Sequence, residues 1–222
     1  MSRPGTRYHV GLGPLAFRRE ASVFVNCPFD LGYRPVFDAI VFATLCCGFL
    51  PRCAVETGTA AQSRMDRILA AMQGSKYSIH DLSRCRGEGD MNLARFNMPL
   101  ELGMAMSQRF SGKTKKDGHD WLVLVPRGHS YKRFLSDLAG YDPMEYDGSL
   151  DTVVPTVMAW LATRPDAVET PTPKAVLAAV PGFASAREEL CSAWCDQVPW
   201  PDLLTAGMQI ARNYGLVPEG RT

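Results

Sequence analysis

The 222-residue sequence lacks most of the features that assign a chemistry at sight. It has no Cys-x-x-Cys pair, and its seven cysteines (27, 46, 47, 53, 85, 191 and 195) are odd in number and fall mostly in strand and helix patterns. That distribution argues against a disulfide framework and suits buried thiols in a reducing cytoplasm. The four histidines, at 9, 80, 119 and 129, are scattered, and Cys191 and Cys195 have none beside them, so no metal is expected. No Gly-x-Ser-x-Gly elbow exists for a serine hydrolase. Gly11-Leu12-Gly13 lacks the third glycine of a dinucleotide loop. Ser111-Gly112-Lys113-Thr114 lacks the earlier glycine of a P-loop, since position 107 is serine, and it precedes a strand rather than following one.

No stretch reaches the ~18 apolar residues that a membrane span needs. The opening MSRPGTRYHVGLG has no apolar run of the signal-peptide kind. A formal net charge of +1 leaves no basic field for nucleic acid, and no Lys/Arg stripe is interleaved with Trp and Tyr. The expectation is a cytoplasmic protein with neither a membrane nor a nucleic-acid partner.

What is present is a globular composition, with 46% apolar and 21% charged residues. Ser22–Asn26 (SVFVN) is a continuous apolar run of the buried parallel-strand kind, ending in the rigid turn Asn26-Cys27-Pro28-Phe29-Asp30. A helix follows over 34–47, with Gly48 as its stop. A second strand is expected over 49–56, a helix over 63–72 with Met65, Ile68, Leu69 and Met72 inward, a third strand ending at His80–Asp81, and a helix starting from Asn97 as N-cap. His119–Pro126 reads as a fourth strand, and helices are expected over 130–138 and 151–162. This alternation predicts an α/β fold: a flavodoxin-like or Rossmann-like three-layer sandwich with a mostly parallel sheet. That domain is expected over 1–164. A Pro-rich linker and a small C-terminal helical appendage follow over 165–222, with short helices over 174–180, 184–195 and 200–214.

In such a sheet the carboxyl ends of the strands open on one side, where ligands bind. Asn26 and Asp30, Glu56, then Asp81, Ser83 and Arg84 stand at these ends. Asn97 and Glu101 open the fourth helix, where Glu101 is expected in the first turn, kept ionised by the helix N-terminus. A carboxylate there can attack or stabilise a sugar carbon with oxocarbenium character. Arg84, Arg95 and the backbone of the 26–30 turn can hold a phosphate. The same residues also have plainer readings. Glu101 reads equally well as a helix charge, Asp81 as a capping carboxylate, Asn26 as a loop residue, Arg84 and Arg95 as surface charges, and Cys27 as a small buried side chain.

Four segments resemble the nucleoside 2-deoxyribosyltransferase-like group, which shares its architecture with TIR domains: VFVNCPFD (23–30), GFLPRCAVE (48–56), YSIHDLSR (77–84) and ELGMA (101–105). The likeness covers about residues 22–126. It departs at Arg95-Phe96-Asn97-Met98-Pro99, where many transferases carry an Asp/Gly/Thr-rich turn. The resemblance implies an N-glycosidase in a nucleotide-signalling or defence context, with Glu101 as nucleophile and Asp81 beside it as the catalytic pair. Asn26, Pro28, Phe29, Asp30, Tyr33, Ser83, Arg84, Arg95 and Asn97 would bind a nucleotide or dinucleotide such as NAD as substrate. No cofactor is implied, and a homodimer or larger homo-oligomer is. A non-catalytic nucleotide-sensing or TIR-like assembly module is the alternative.

Overall fold

The structure, a computed structural model, describes residues 18–56, 61–84, 96–111, 118–128, 130–133 and 135–217. Five parallel strands form one sheet in the order β2-β1-β3-β4-β5: β1 Ser22–Asn26, β2 Leu50–Cys53, β3 Tyr77–Asp81, β4 Asp120–Pro126 and β5 Met144–Tyr146. Every residue of β1 and β3 is buried, which follows from their continuous apolar runs and from helices covering both faces. Register is set by the central pair: Val25 lies opposite Ile79 and Asn26 opposite His80, while on the other side of β3 Asp81 lies opposite Leu124. The chain runs outward from β1 to β2 and then returns past β1 to β3. The β1/β3 boundary is therefore the switch point at which this strand order opens a crevice.

Among the described residues there are six α-helices: α1 Arg34–Cys46, α2 Arg64–Gln73, α3 Asn97–Ser111, α4 Leu150–Ala162, α5 Pro173–Ala193 and α6 Trp200–Asn213. Because side chains alternate along a strand, Val23, Val25, Ile79, Leu122 and Leu124 face α1 and α4. Phe24 faces the other way, against Ile68, Ala71 and Met72 of α2 and Ala105 of α3. Trp121, Val123 and Val125 pack on that second face against Met98 and Leu102. The result is the three-layer α/β sandwich that the strand–helix alternation implies.

The C-terminal helices lie outside α1 and share its core through Val176, Ala179, Phe183, Leu203, Leu204 and Met208. Eleven consecutive residues of α1, Val36 to Cys46, are buried as a consequence. A helix apolar on every side needs such covering. Phe42 and Phe183 stack at 5.2 Å. Gly207 permits the close approach of α6, since a Cβ there would come within 2.7 Å of Leu45 Cδ1. Gly48 ends the α1 turn at φ +80, a backbone conformation that favours glycine.

Several boundaries differ from the sequence reading. The helix expected over 130–138 is two 3-10 turns, Ser130–Arg133 and Ser136–Gly140, and the three-residue strand β5 follows it. β5 was not legible because Met-Glu-Tyr is too short to show alternation. α5 runs 21 residues straight through Pro181-Gly182, where two helices were expected. Burial of Val180 and Phe183 on either side of that pair offsets the roughly 3 kcal/mol that an interior proline costs.

Strand β2 ends at Cys53, and Glu56 beyond it folds back to accept from Arg52 Nε at 2.7 Å and from the Cys53 amide at 3.0 Å. In α2, Met65 is 37% exposed and Ala71 takes the inward place expected for it. Ser63 caps α2 in a reciprocal box with Asp66. Ser63→Ala is therefore expected to cost about 1 kcal/mol, measured by urea unfolding.

Candidate functional site

The polar residues at the strand ends form two groups, one on each face of the sheet. The first is built on Asp81, the last residue of β3 and fully buried. Its Oδ2 accepts from the hydroxyls of Tyr33 at 2.6 Å and Tyr146 at 2.5 Å, and its Oδ1 accepts from the Ser83 amide at 2.6 Å. One carboxylate thus joins the start of α1, the end of β5 and the loop after β3. Burial raises the Asp81 pKa, and the bonds from Ser83, Tyr146 and Tyr33 oppose that rise. Burial and the Asp81 charge push both tyrosine hydroxyls up, so they remain donors.

At the mouth of this group, Arg84 Nη2 donates to Asp30 Oδ1 at 2.9 Å, and the same oxygen accepts from the Tyr33 amide at 3.1 Å. The 26–30 turn and the loop after β3 are locked together in this way. A cavity of about 490 Å³ opens beside them, lined by Ser83, Arg84, Pro126, Arg127, Tyr146 and Asp147 among others. Arg127 was not picked out in the sequence. It follows the end of β4 as Arg84 follows β3, and that position was the available signal. Asp147 beneath it accepts from Ser149 and Thr152, whose bonds hold its carboxyl well below the usual range.

The second group lies under α3. Glu101 is only 4% exposed and makes no hydrogen bond or ion pair among the described residues. Burial pushes its carboxyl up to about 7, and the charge of Arg64 opposes that only in part. This corrects two expectations. Helix α3 begins at Asn97, which is exposed, and Leu100 N bonds back to Phe96 O at 3.1 Å, so Phe96 holds the cap position. Glu101 therefore opens the second turn, where loss of water outweighs the dipole. At the start of the same helix Asn26, the last residue of β1, donates to the Met98 carbonyl at 3.1 Å and meets His80 Nδ1 at 2.9 Å.

Asp81 and Glu101 thus serve opposite faces, Asp81 toward α1 and Glu101 toward α2. Cys27, buried at the end of β1, is held far above its ordinary pKa by burial first and then by charges that include both carboxylates. It is a packed thiol rather than a nucleophile. Of the other expected residues, Pro28 is buried, and Phe29 packs edge-on against Phe37 at 5.4 Å. Arg95 lies outside the described residues. No group of three or more His, Cys, Asp and Glu among the described residues could hold a metal.

A second cavity, of about 880 Å³, lies between the starts of α1 and α4 and the side of α5, and the sequence did not suggest it. Its wall carries the buried Asp38, paired with Arg187 Nη1 and pushed up to about 6 by burial. Glu101 lines neither cavity.

The fold and rim define a doubly wound α/β protein with polar strand ends at its switch point. No described helix is long and apolar enough to cross a membrane. Comparisons with protein-family models, curated proteins and solved structures return no match.

Proposed function

We propose that the protein is an N-glycosidase acting on a nucleotide or an NAD-type dinucleotide. The observation that carries this reading is Glu101, a carboxyl 4% exposed with no hydrogen-bond donor among the described residues. A structural carboxylate at that depth is normally satisfied by donors, as Asp81 is. Glu101 has no such donors, yet its oxygens are not among the sealed, unpartnered side-chain atoms of the described residues. A carboxyl that solvent still reaches, with its pKa pushed up to about 7, is of the kind that active sites use. In the reaction Glu101 attacks or stabilises C1′ of the sugar while the C1′–N bond breaks and the base leaves with the electron pair. Water, or a second base in transfer, then resolves the intermediate. Arg84 and Arg127 line the 490 Å³ cavity, which Glu101 does not, and a phosphate there would take them over from their present carboxylate partners, Asp30 at 2.9 Å and Asp147 at 3.8 Å. Asp81 acts through Tyr33 and Tyr146 as a positioning residue, since donors already fill its oxygens. A homodimer or larger assembly belongs to the same proposal.

A second reading is a nucleotide sensor without turnover, favoured by the placement of the two carboxylates on opposite faces. One experiment separates the two. The purified chain is incubated with a panel of nucleotides and NAD, and free base is followed by chromatography. Release of base supports the glycosidase. Binding without release, accompanied by a change in oligomeric state, supports the sensor.

A further inference from the structure

Behind Asn26 a chain of buried polar groups crosses the sheet under α2 and α3. Asn26 Nδ2 meets His80 Nδ1 at 2.9 Å, and His80 Nε2 meets Ser78 Oγ at 2.8 Å. Ser78 Oγ meets His119 Nε2 at 2.7 Å, and His119 Nδ1 meets the Ser75 carbonyl at 3.0 Å. His80, Ser78, Ser75 and His119 are all within 1% of full burial. Both imidazoles are neutral at physiological pH, because burial lowers His80 to about 3 and His119 to about 4. A neutral imidazole has one donor nitrogen and one acceptor nitrogen.

Those two facts fix every proton from one end. A carbonyl only accepts, so His119 carries its proton on Nδ1 and accepts at Nε2. Ser78 must then donate to His119 and accept from His80. His80 therefore carries its proton on Nε2 and accepts at Nδ1. The group facing it must be the amide nitrogen of Asn26, whose second N–H goes to the Met98 carbonyl at 3.1 Å. Which end of an asparagine amide is the nitrogen is decided by its hydrogen bonds; here an exchange would set acceptor against acceptor at both contacts. Both amide hydrogens are committed, and Oδ1 is the one side-chain polar atom of Asn26 with no partner among the described residues.

We propose that Asn26 is a specificity-determining residue that presents a hydrogen-bond acceptor at the end of β1. His80, Ser78 and His119 are the positioning residues that hold it so. The ligand group seated there is then a donor, either the exocyclic amine of a base or a sugar hydroxyl. An acceptor in that place would face the Asn26 oxygen with no proton between them. This rests on the nucleotide reading of the site, while the tautomers themselves do not.

Two measurements test it. Long-range ¹H–¹⁵N spectra of the intact protein at neutral pH are expected to show His80 protonated on Nε2 and His119 on Nδ1. A proton on Nδ1 of His80, or a doubly protonated ring, overturns the inference and leaves the glycosidase reading untouched. Calorimetry with AMP against IMP, and with AMP against its 2′-deoxy and 3′-deoxy forms, then locates the donor. One of these pairs is expected to differ by roughly tenfold in Kd, as for the net loss of one hydrogen bond.

Ser78→Ala breaks the chain, frees the His80 tautomer and is expected to reduce that preference below about threefold. Equal binding across all pairs, or a preference unchanged in Ser78→Ala, overturns the inference. Absence of binding by any of these nucleotides overturns both readings together. The spectra of the unmodified chain serve if Ser78→Ala does not fold.

Discussion

Exchanging Glu101 for glutamine is expected to slow N-glycosidic cleavage roughly a thousand-fold or more while making the fold more stable above neutral pH. Both effects come from the same burial. The glutamine keeps the shape and removes the charge that attacks or stabilises the sugar carbon. In the folded chain the Glu101 carboxyl ionises at about 7, against an ordinary 4.5. The folded state therefore holds this proton more tightly than the unfolded chain does. Its contribution is full below about pH 4.5 and is lost as pH rises to about 7. The ionised form thus costs on the order of 3 kcal/mol, which the glutamine avoids.

Urea unfolding of both proteins at several pH values is the check. The curves should coincide near pH 4.5 and diverge toward pH 8, with the variant the more stable. Divergence in the opposite direction would show that Glu101 is stabilised by a partner. Unchanged base release from a cleaved nucleotide would remove it from the chemistry. A stabilised but inactive variant is the pattern expected of a functional residue held at a cost to the fold.

The second large effect is expected at Asp81. Asp81→Ala leaves two tyrosine hydroxyls and the Ser83 amide without their common acceptor, which is itself fully buried. A buried donor so orphaned costs about 1–3 kcal/mol, and the three are coupled, so the loss is expected near 3–5 kcal/mol. Set against a total stability of about 5–15 kcal/mol, this lowers the melting temperature by roughly 10 °C. Tyr146→Phe removes one donor and leaves the carboxylate with the other two, so it is expected to cost only about 1 kcal/mol. If Asp81→Ala costs no more than Tyr146→Phe, the carboxylate does not join the three elements.

Much of the fold is legible in the sequence, because β1, β3 and β4 are continuous apolar runs and α1 carries apolar residues on every side. The elements that escaped are those decided by tertiary packing. β5 is three residues long, and α5 continues through Pro181 because its neighbours are buried there. The candidate site was legible as a set of residue types at strand ends. It was not legible which face each would serve. Asp81 ends a strand and Glu101 lies near the start of the following helix, so both could be placed at one rim from spacing, whereas the face each serves required the packing of α1 and α3. The His80–Ser78–His119 chain was hidden for a related reason. Its members reach one another across the sheet, with Ser78 and His119 41 positions apart in sequence.

The complete enclosure of α1 bears on how the chain is made. This helix is synthesised soon after β1, well before α5 and α6, which shield its outer side. Until they arrive, the outer side of α1 has no cover, and chains stalled or clipped before Phe183 present it to chaperones and proteases.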